Sequence, residues 1–124
     1  MTIAEIEHAE LIAKFLGYKV EDTPGGDVGM YYQNAQGDWI YSRSIYDTYY
    51  HSHWDWLMPV VEKIESIKPD GLNVVYGVQI DSNYCLIHKD GEVPITEHQS
   101  DTKFDATIRA VIDFIRWHNN EEGE

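Results

Sequence analysis

Leu72-Asn73-Val74-Val75-Tyr76-Gly77-Val78-Gln79-Ile80-Asp81-Ser82-Asn83-Tyr84-Cys85-Leu86-Ile87-His88 is the stretch on which the fold class turns. Val74, Tyr76, Val78 and Ile80 recur at every second position, the period of a strand with one buried face. Asp81-Ser82-Asn83 supplies turn residues and leads into a second apolar run, Tyr84 to His88. Asp90-Gly91 is a hairpin signal before a third run, Glu92 to Glu97. Three consecutive strands joined by short turns predict an antiparallel meander. A change of period follows at once. Thr102-Lys103-Phe104-Asp105 has capping-box spacing, and Phe104, Ile108, Val111 and Ile115 then fall on one helical face over about 103–118, flanked by Phe114 and Trp117.

The same two periods recur upstream. Thr2-Ile3-Ala4-Glu5 caps a helix over 2–16 whose inner face carries Ile6, Ala9, Ala13 and Leu16, with Ile12 and Phe15 beside them. Gly17 suits a left-handed C-cap, with Tyr18 folding back. Glu21 to Asp27 reads as a loop, because Pro24, Gly25 and Gly26 interrupt any regular element. Val28 to Gln33 and Asp38 to Arg43 read as strands about the turn Asn34-Ala35-Gln36-Gly37, while Ser44 to His51 fits a strand or an ordered loop. A helix over about 53–68 carries Trp54, Leu57, Val61 and Ile64 on one stripe, with Val60 and Ile67 adjoining, and Ser52-His53-Trp54-Asp55 has capping-box spacing. Pro59 inside it removes one hydrogen bond at a cost of about 3 kcal/mol, so either the helix bends there, the favoured reading, or its regular part begins with Pro59 at the first position. Asp70-Gly71 ends it. The order α-β-β-α-β-β-β-α predicts one α+β domain over 1–120, with helices packed on one face of an antiparallel sheet, and a frayed acidic tail over 121–124.

Composition excludes several functions. The chain of 124 residues has 22 Asp+Glu against 9 Lys+Arg, a net charge of −13. That charge repels phosphates, so it argues against direct nucleic acid binding and against anionic membranes. No apolar run approaches the roughly 20 residues of a membrane span, and the acidic opening lacks the basic region of a secretory signal. A cytoplasmic protein is expected. One cysteine allows no internal disulfide and no cysteine-based zinc site.

Catalytic signatures are equally scarce. No Gly-x-Ser-x-Gly, Gly-x-x-x-x-Gly-Lys or Gly-x-Gly-x-x-Gly occurs, and Pro24 to Gly29, glycine-rich but acidic, would repel a phosphate. His51-Ser52-His53 with Asp55 is the nearest approach to a metal set, but the helix start splays these side chains and a fourth ligand is missing. Cys85 reads as a small hydrophobe inside a strand. His88, three residues along, points to the other face, which leaves His98 as a basic partner only if folding brings it near. No cofactor, metal or catalytic residue is therefore assigned, and the chain reads as a non-enzyme.

Aromatic density is the positive signal. Tyr31, Tyr32, Trp39, Tyr41, Tyr46, Tyr49, Tyr50, Trp54 and Trp56 are nine aromatics in 26 residues. A small core absorbs only part of such a set, and tyrosine and tryptophan left at a surface form the centres of protein interfaces. Tyr31, Trp39, Tyr41, Tyr46, Tyr49 and Tyr50 are the candidate contact residues for an unknown protein partner.

Three stretches carry a resemblance: Trp54-Asp55-Trp56-Leu57-Met58-Pro59-Val60-Val61-Glu62-Lys63-Ile64-Glu65, Ala110-Val111-Ile112-Asp113-Phe114-Ile115-Arg116-Trp117-His118-Asn119, and the first helix running into Phe15-Leu16-Gly17-Tyr18. Together, over less than half of the chain, they resemble a group of small proteins of bacteriophages and prophage-like regions of gut bacteria. That group has no established activity, so the resemblance implies origin and transfers no site residue. It favours a module that binds a host protein. The alternative is an acidic mimic of nucleic acid that inhibits a basic host protein. A mimic needs its acids ordered along one face, whereas here they are scattered from Glu5 to Glu124, clustered only at Glu121-Glu122-Gly123-Glu124.

Overall fold

The computed structural model describes residues 1–68, 75–89 and 94–122, without the side chains of 121 and 122. The architecture is α+β, and the chain divides into two compact units, Met1–His53 and Trp54–Glu124.

In the first unit, helix α1 (Ile3–Phe15) precedes strands β1 (Lys19–Asp22), β2 (Val28–Gln33) and β3 (Trp39–Ser44). Both halves of the capping box form: the Thr2 hydroxyl accepts from Glu5 N at 3.1 Å and Glu5 Oε1 accepts from Thr2 N at 2.8 Å. At the other end Gly17 takes φ +100°, its N–H reaching Lys14 O and that of Tyr18 reaching Ala13 O, each at 3.0 Å. These two bonds close a Schellman motif and satisfy carbonyls that the helix cannot. α1 packs on β1, burying Ala9, Ile12 and Ala13.

Strand β1 corrects the sequence reading, which placed Glu21 and Asp22 in a loop. Thr23 N–H bonds Asp27 O at 2.8 Å and Gly26 takes φ +83°, so the Pro-Gly-Gly run makes a tight turn between two strands. Asp27 then accepts from Val28 N and from the Ser44 hydroxyl, both at 2.7 Å. The second turn lies where expected: Asn34 Oδ1 accepts from Gln36 N and Asp38 N, and Gly37 takes φ +88°. The sheet order is β1-β2-β3, antiparallel throughout. Ser44 to His51 resolves into a 3-10 turn at Ile45–Asp47 and further turns, with Ile45, Thr48 and Tyr50 buried.

The second unit holds helix α2 (Trp54–Ser66), strands β4 (Tyr76–Asp81), β5 (Tyr84–Lys89) and β6 (Pro94–Gln99), and helix α3 (Lys103–Glu122). α2 keeps Pro59 inside and buries Leu57, Val60, Val61 and Ile64. Ser52 does not close the expected box; its hydroxyl lies 2.7 Å from His53 Nδ1. The meander β4-β5-β6 forms as read, and α3 packs against β5 and β6. Tyr76 meets both Phe114 and Trp117 edge to face, with centroids 4.9 and 6.0 Å away, and the Phe114 and Trp117 rings are tilted against each other. The predicted turns Asp70-Gly71 and Asp90-Gly91, the strand positions Leu72 to Val74, and Gly123-Glu124 lie outside the described residues. α3 runs four residues past its expected end, through Asn119 to Glu122.

The order is thus α-β-β-β-α-β-β-β-α, with one strand more than expected and two three-stranded sheets in place of one. α2 separates the two runs of strands along the chain.

Candidate functional site

The first sheet carries the aromatic set. Register pairs Lys19 with Tyr31 and Tyr31 with Tyr41, so these three share one face. Glu21, Gly29 and Trp39 are each two residues from a member of that row and join the same face. Tyr31 and Tyr41 meet edge to face with centroids 5.6 Å apart. Gly29 makes room for them. A Cβ there would stand 3.1 Å from a ring carbon of each and 3.0 Å from the Thr23 methyl. The Lys19 ammonium lies 5.6 Å from the Trp39 ring centroid and 3.6 Å from a Glu21 carboxylate oxygen. A cation is thus held between a ring face and a carboxylate, the arrangement that ring quadrupoles favour.

Exposure sorts the six candidate residues. Trp39 is 43% exposed, Tyr41 50%, Tyr46 49% and Tyr49 46%; Tyr31 is half-buried. Tyr31, Trp39 and Tyr41 come together on the sheet. Tyr46 sits on the 3-10 turn, and Tyr49 packs its ring against His53 with centroids 5.0 Å apart. Tyr50 is corrected: at 4% exposure it belongs to the core, where burial above all, then Tyr18, pushes its phenol up to about 12 against the opposing pull of Arg43. Tyr32, outside the predicted contact set, is also exposed. Register pairs it with Ile40, also exposed, on the other sheet face from Tyr31. An open groove of about 450 Å³ adjoins it, lined by Leu16, Gly17, Tyr18, Tyr32 and Gln33. Alternation along β2 already separates Tyr32 from Tyr31, and that was the available signal.

In the second unit the register sets Cys85 directly opposite His98, a pairing the sequence could not give. His98 Nε2 lies 2.5 Å from Asp113 Oδ2, so cysteine, histidine and aspartate follow one another in space. Cys85, however, is fully buried, and burial pushes its thiol up to about 11 despite a bond with Thr107. Held protonated and out of solvent, the thiol packs as a small hydrophobe. His88 covers Gly77, where a Cβ would come within 2.5 Å of its ring, and so lies on the sheet face away from Cys85. Tyr84 donates a short hydrogen bond to Glu97, and Ser100 donates another to Asp105, which also accepts from Arg109 Nε at 2.7 Å. These bonds to Ser100 and Arg109 hold the Asp105 carboxyl below its usual range. They also occupy the carboxylate, so the third capping box is half made: only Asp105 N bonds the Thr102 hydroxyl. Among the described residues no three His, Cys, Asp or Glu side chains are grouped to hold a metal, and no helix is long and apolar enough to cross a membrane. No family model, curated protein or solved structure matches the chain.

Proposed function

We propose that the chain is a non-enzymatic protein-interaction module of phage or prophage type, whose contact surface is the aromatic face of the first sheet. One observation carries this reading: Trp39 and Tyr41 stand side by side on a sheet face with about half their surface in water. Large apolar rings held rigidly at a surface are what interface centres are made of, because little side-chain entropy remains to be lost on binding. Tyr31 and Gly29 support the reading by fixing the ring positions from beneath. Tyr46 and Tyr49 extend the aromatic surface of the same unit.

The test is capture from bacterial lysate by the full chain, compared with a Trp39→Ala, Tyr41→Ala double variant. A partner retained by the parent chain and lost by the variant is expected, with retention persisting from low to physiological salt. A partner that is released by that salt step, competed off by DNA or RNA, and indifferent to both substitutions would select the nucleic-acid mimic instead.

A further inference from the structure

We infer that this face reads cations: its partner is an extended polypeptide segment with Arg or Lys at alternate positions, added along the side of β3 away from β2. The inference rests on the interface reading above and specifies the partner's chemistry.

Three features support it. The face already holds one ammonium group, Lys19, between the Trp39 ring and Glu21, and both Lys19 and Glu21 remain largely in solvent. The seat is thus built, and an incoming cation can displace its resident. Next, β3 has β2 as its one strand neighbour among the described residues, since the sheet order ends at β3. Antiparallel pairing with β2 engages alternate residues, so over the regular stretch Trp39–Tyr41, short of the bulge opposite Met30 and Tyr31, the remaining backbone N–H and C=O groups point away from β2. A strand added there sends every second side chain to the Tyr31, Trp39 and Tyr41 face. The spacing of those side chains, about 6.5–7 Å, equals that between Trp39 and Tyr41 on β3 itself. Finally, charge is complementary. The Met1–His53 unit carries eight carboxylates against Lys14, Lys19 and Arg43, so a basic segment is attracted and an acidic one repelled.

The probe is an acetylated, fluorescently labelled peptide of alternating Thr and Arg, compared at physiological salt with the same peptide carrying Gln for Arg, both titrated against the full chain by anisotropy. Saturable binding of the Arg peptide is expected, at least about tenfold tighter than that of the Gln peptide. Trp39→Ala and Tyr41→Ala should each weaken it by about fivefold or more, the loss that marks a hot spot. Lys19→Ala should tighten it by about threefold or more, because the seat is then vacant. Thermal melts establish that each variant is folded, and Lys19→Ala keeps the test open should Trp39→Ala unfold. Equal binding of the Arg and Gln peptides would overturn the cation preference while leaving the interface standing. Arg-peptide binding unaffected by all three substitutions would reduce the attraction to general counter-charge and overturn the inference. Binding of neither peptide would overturn it too, and the lysate capture by parent and double variant then decides the interface separately.

Discussion

Trp39, Tyr41 and Cys85 separate the roles that single residues play here. Trp39 and Tyr41 are about half exposed, so truncating either to Ala should cost no more than about 1.5 kcal/mol, the worth of one ring contact, while partner binding weakens by about fivefold or more. A large drop in melting temperature in either variant would instead make these rings structural. Cys85 is the reverse case. Its thiol is held protonated, from 9.0 to about 11, by burial in the folded chain alone. The folded state therefore binds this proton more tightly than the unfolded state. That contribution is complete below about pH 9 and disappears as pH rises towards 11, a loss of roughly 2–3 kcal/mol. Tyr50, raised to about 12, adds a loss of the same sign at higher pH. Alkaline melts should fall across pH 9–11, and Cys85→Ala should flatten that slope; an unchanged slope would place the alkaline loss elsewhere. Asp105 acts with opposite sign: its lowered carboxyl stabilises above its ordinary 3.8 and loses that contribution as pH falls below it. Little of this was readable beforehand. Cys85 as a strand hydrophobe was legible from its apolar neighbours. Its pairing with His98 was not, because register depends on a bulge near Ile87/His88 that no local pattern encodes. Tyr50 beside Tyr49 shows the same limit, since adjacent aromatics in an irregular segment do not announce which is buried.

Elements were legible where local chemistry and period agreed. Thr2 and Glu5, Gly17, and the meander residues each combine a terminator with a periodic run, and the structure places those elements as read. β1 was not legible, because Lys19, Glu21 and Asp22 look like loop residues; charges on an edge strand protect it from unwanted pairing and hide it from a hydrophobic pattern. Strand partnership was hidden too, since alternation marks a face without naming the neighbour. Energetics follow from the observed faces. Val61 of α2 and Val111 of α3 are buried, so Val→Ala at either should cost about 1–3 kcal/mol in denaturant unfolding, more than any single exposed acid substitution. Small, equal effects would remove the helix-face assignment. Thr2→Ala should cost about 1 kcal/mol by opening a capping box in which both bonds are made. Thr102→Ala should cost less, because Asp105 has turned to Ser100 and Arg109 and that box is half formed.

For the molecule as a whole, the net charge of −13 acts on folding and binding in opposite ways. In the folded chain the carboxylates are closer together than in the unfolded chain, so their mutual repulsion favours unfolding. Ion pairs such as Lys19–Glu21 and Arg109–Asp105 lie at the surface and offset little of it. Raising ionic strength from about 0.01 M to 0.15 M shortens the screening length from about 30 Å to 8 Å, which damps repulsion across the molecule while leaving contacts within one pair largely intact. The melting temperature should therefore rise over that range, and chelator at constant ionic strength should leave it unchanged. A fall with salt would mean that attractive pairs outweigh the repulsion; a fall with chelator would reveal a bound ion that contributes to folding. Partner binding should respond differently. A cation seated on Trp39 is partly withdrawn from solvent and is screened less than exposed charges, so affinity should decline only modestly over the salt step that strengthens the fold. A phosphate mimic predicts a stronger fold and a collapsing complex over that same step, because its whole acid surface is read through water. Measured together on one chain, the melting temperature and the affinity as functions of salt separate a contact made by rings from one made by charge.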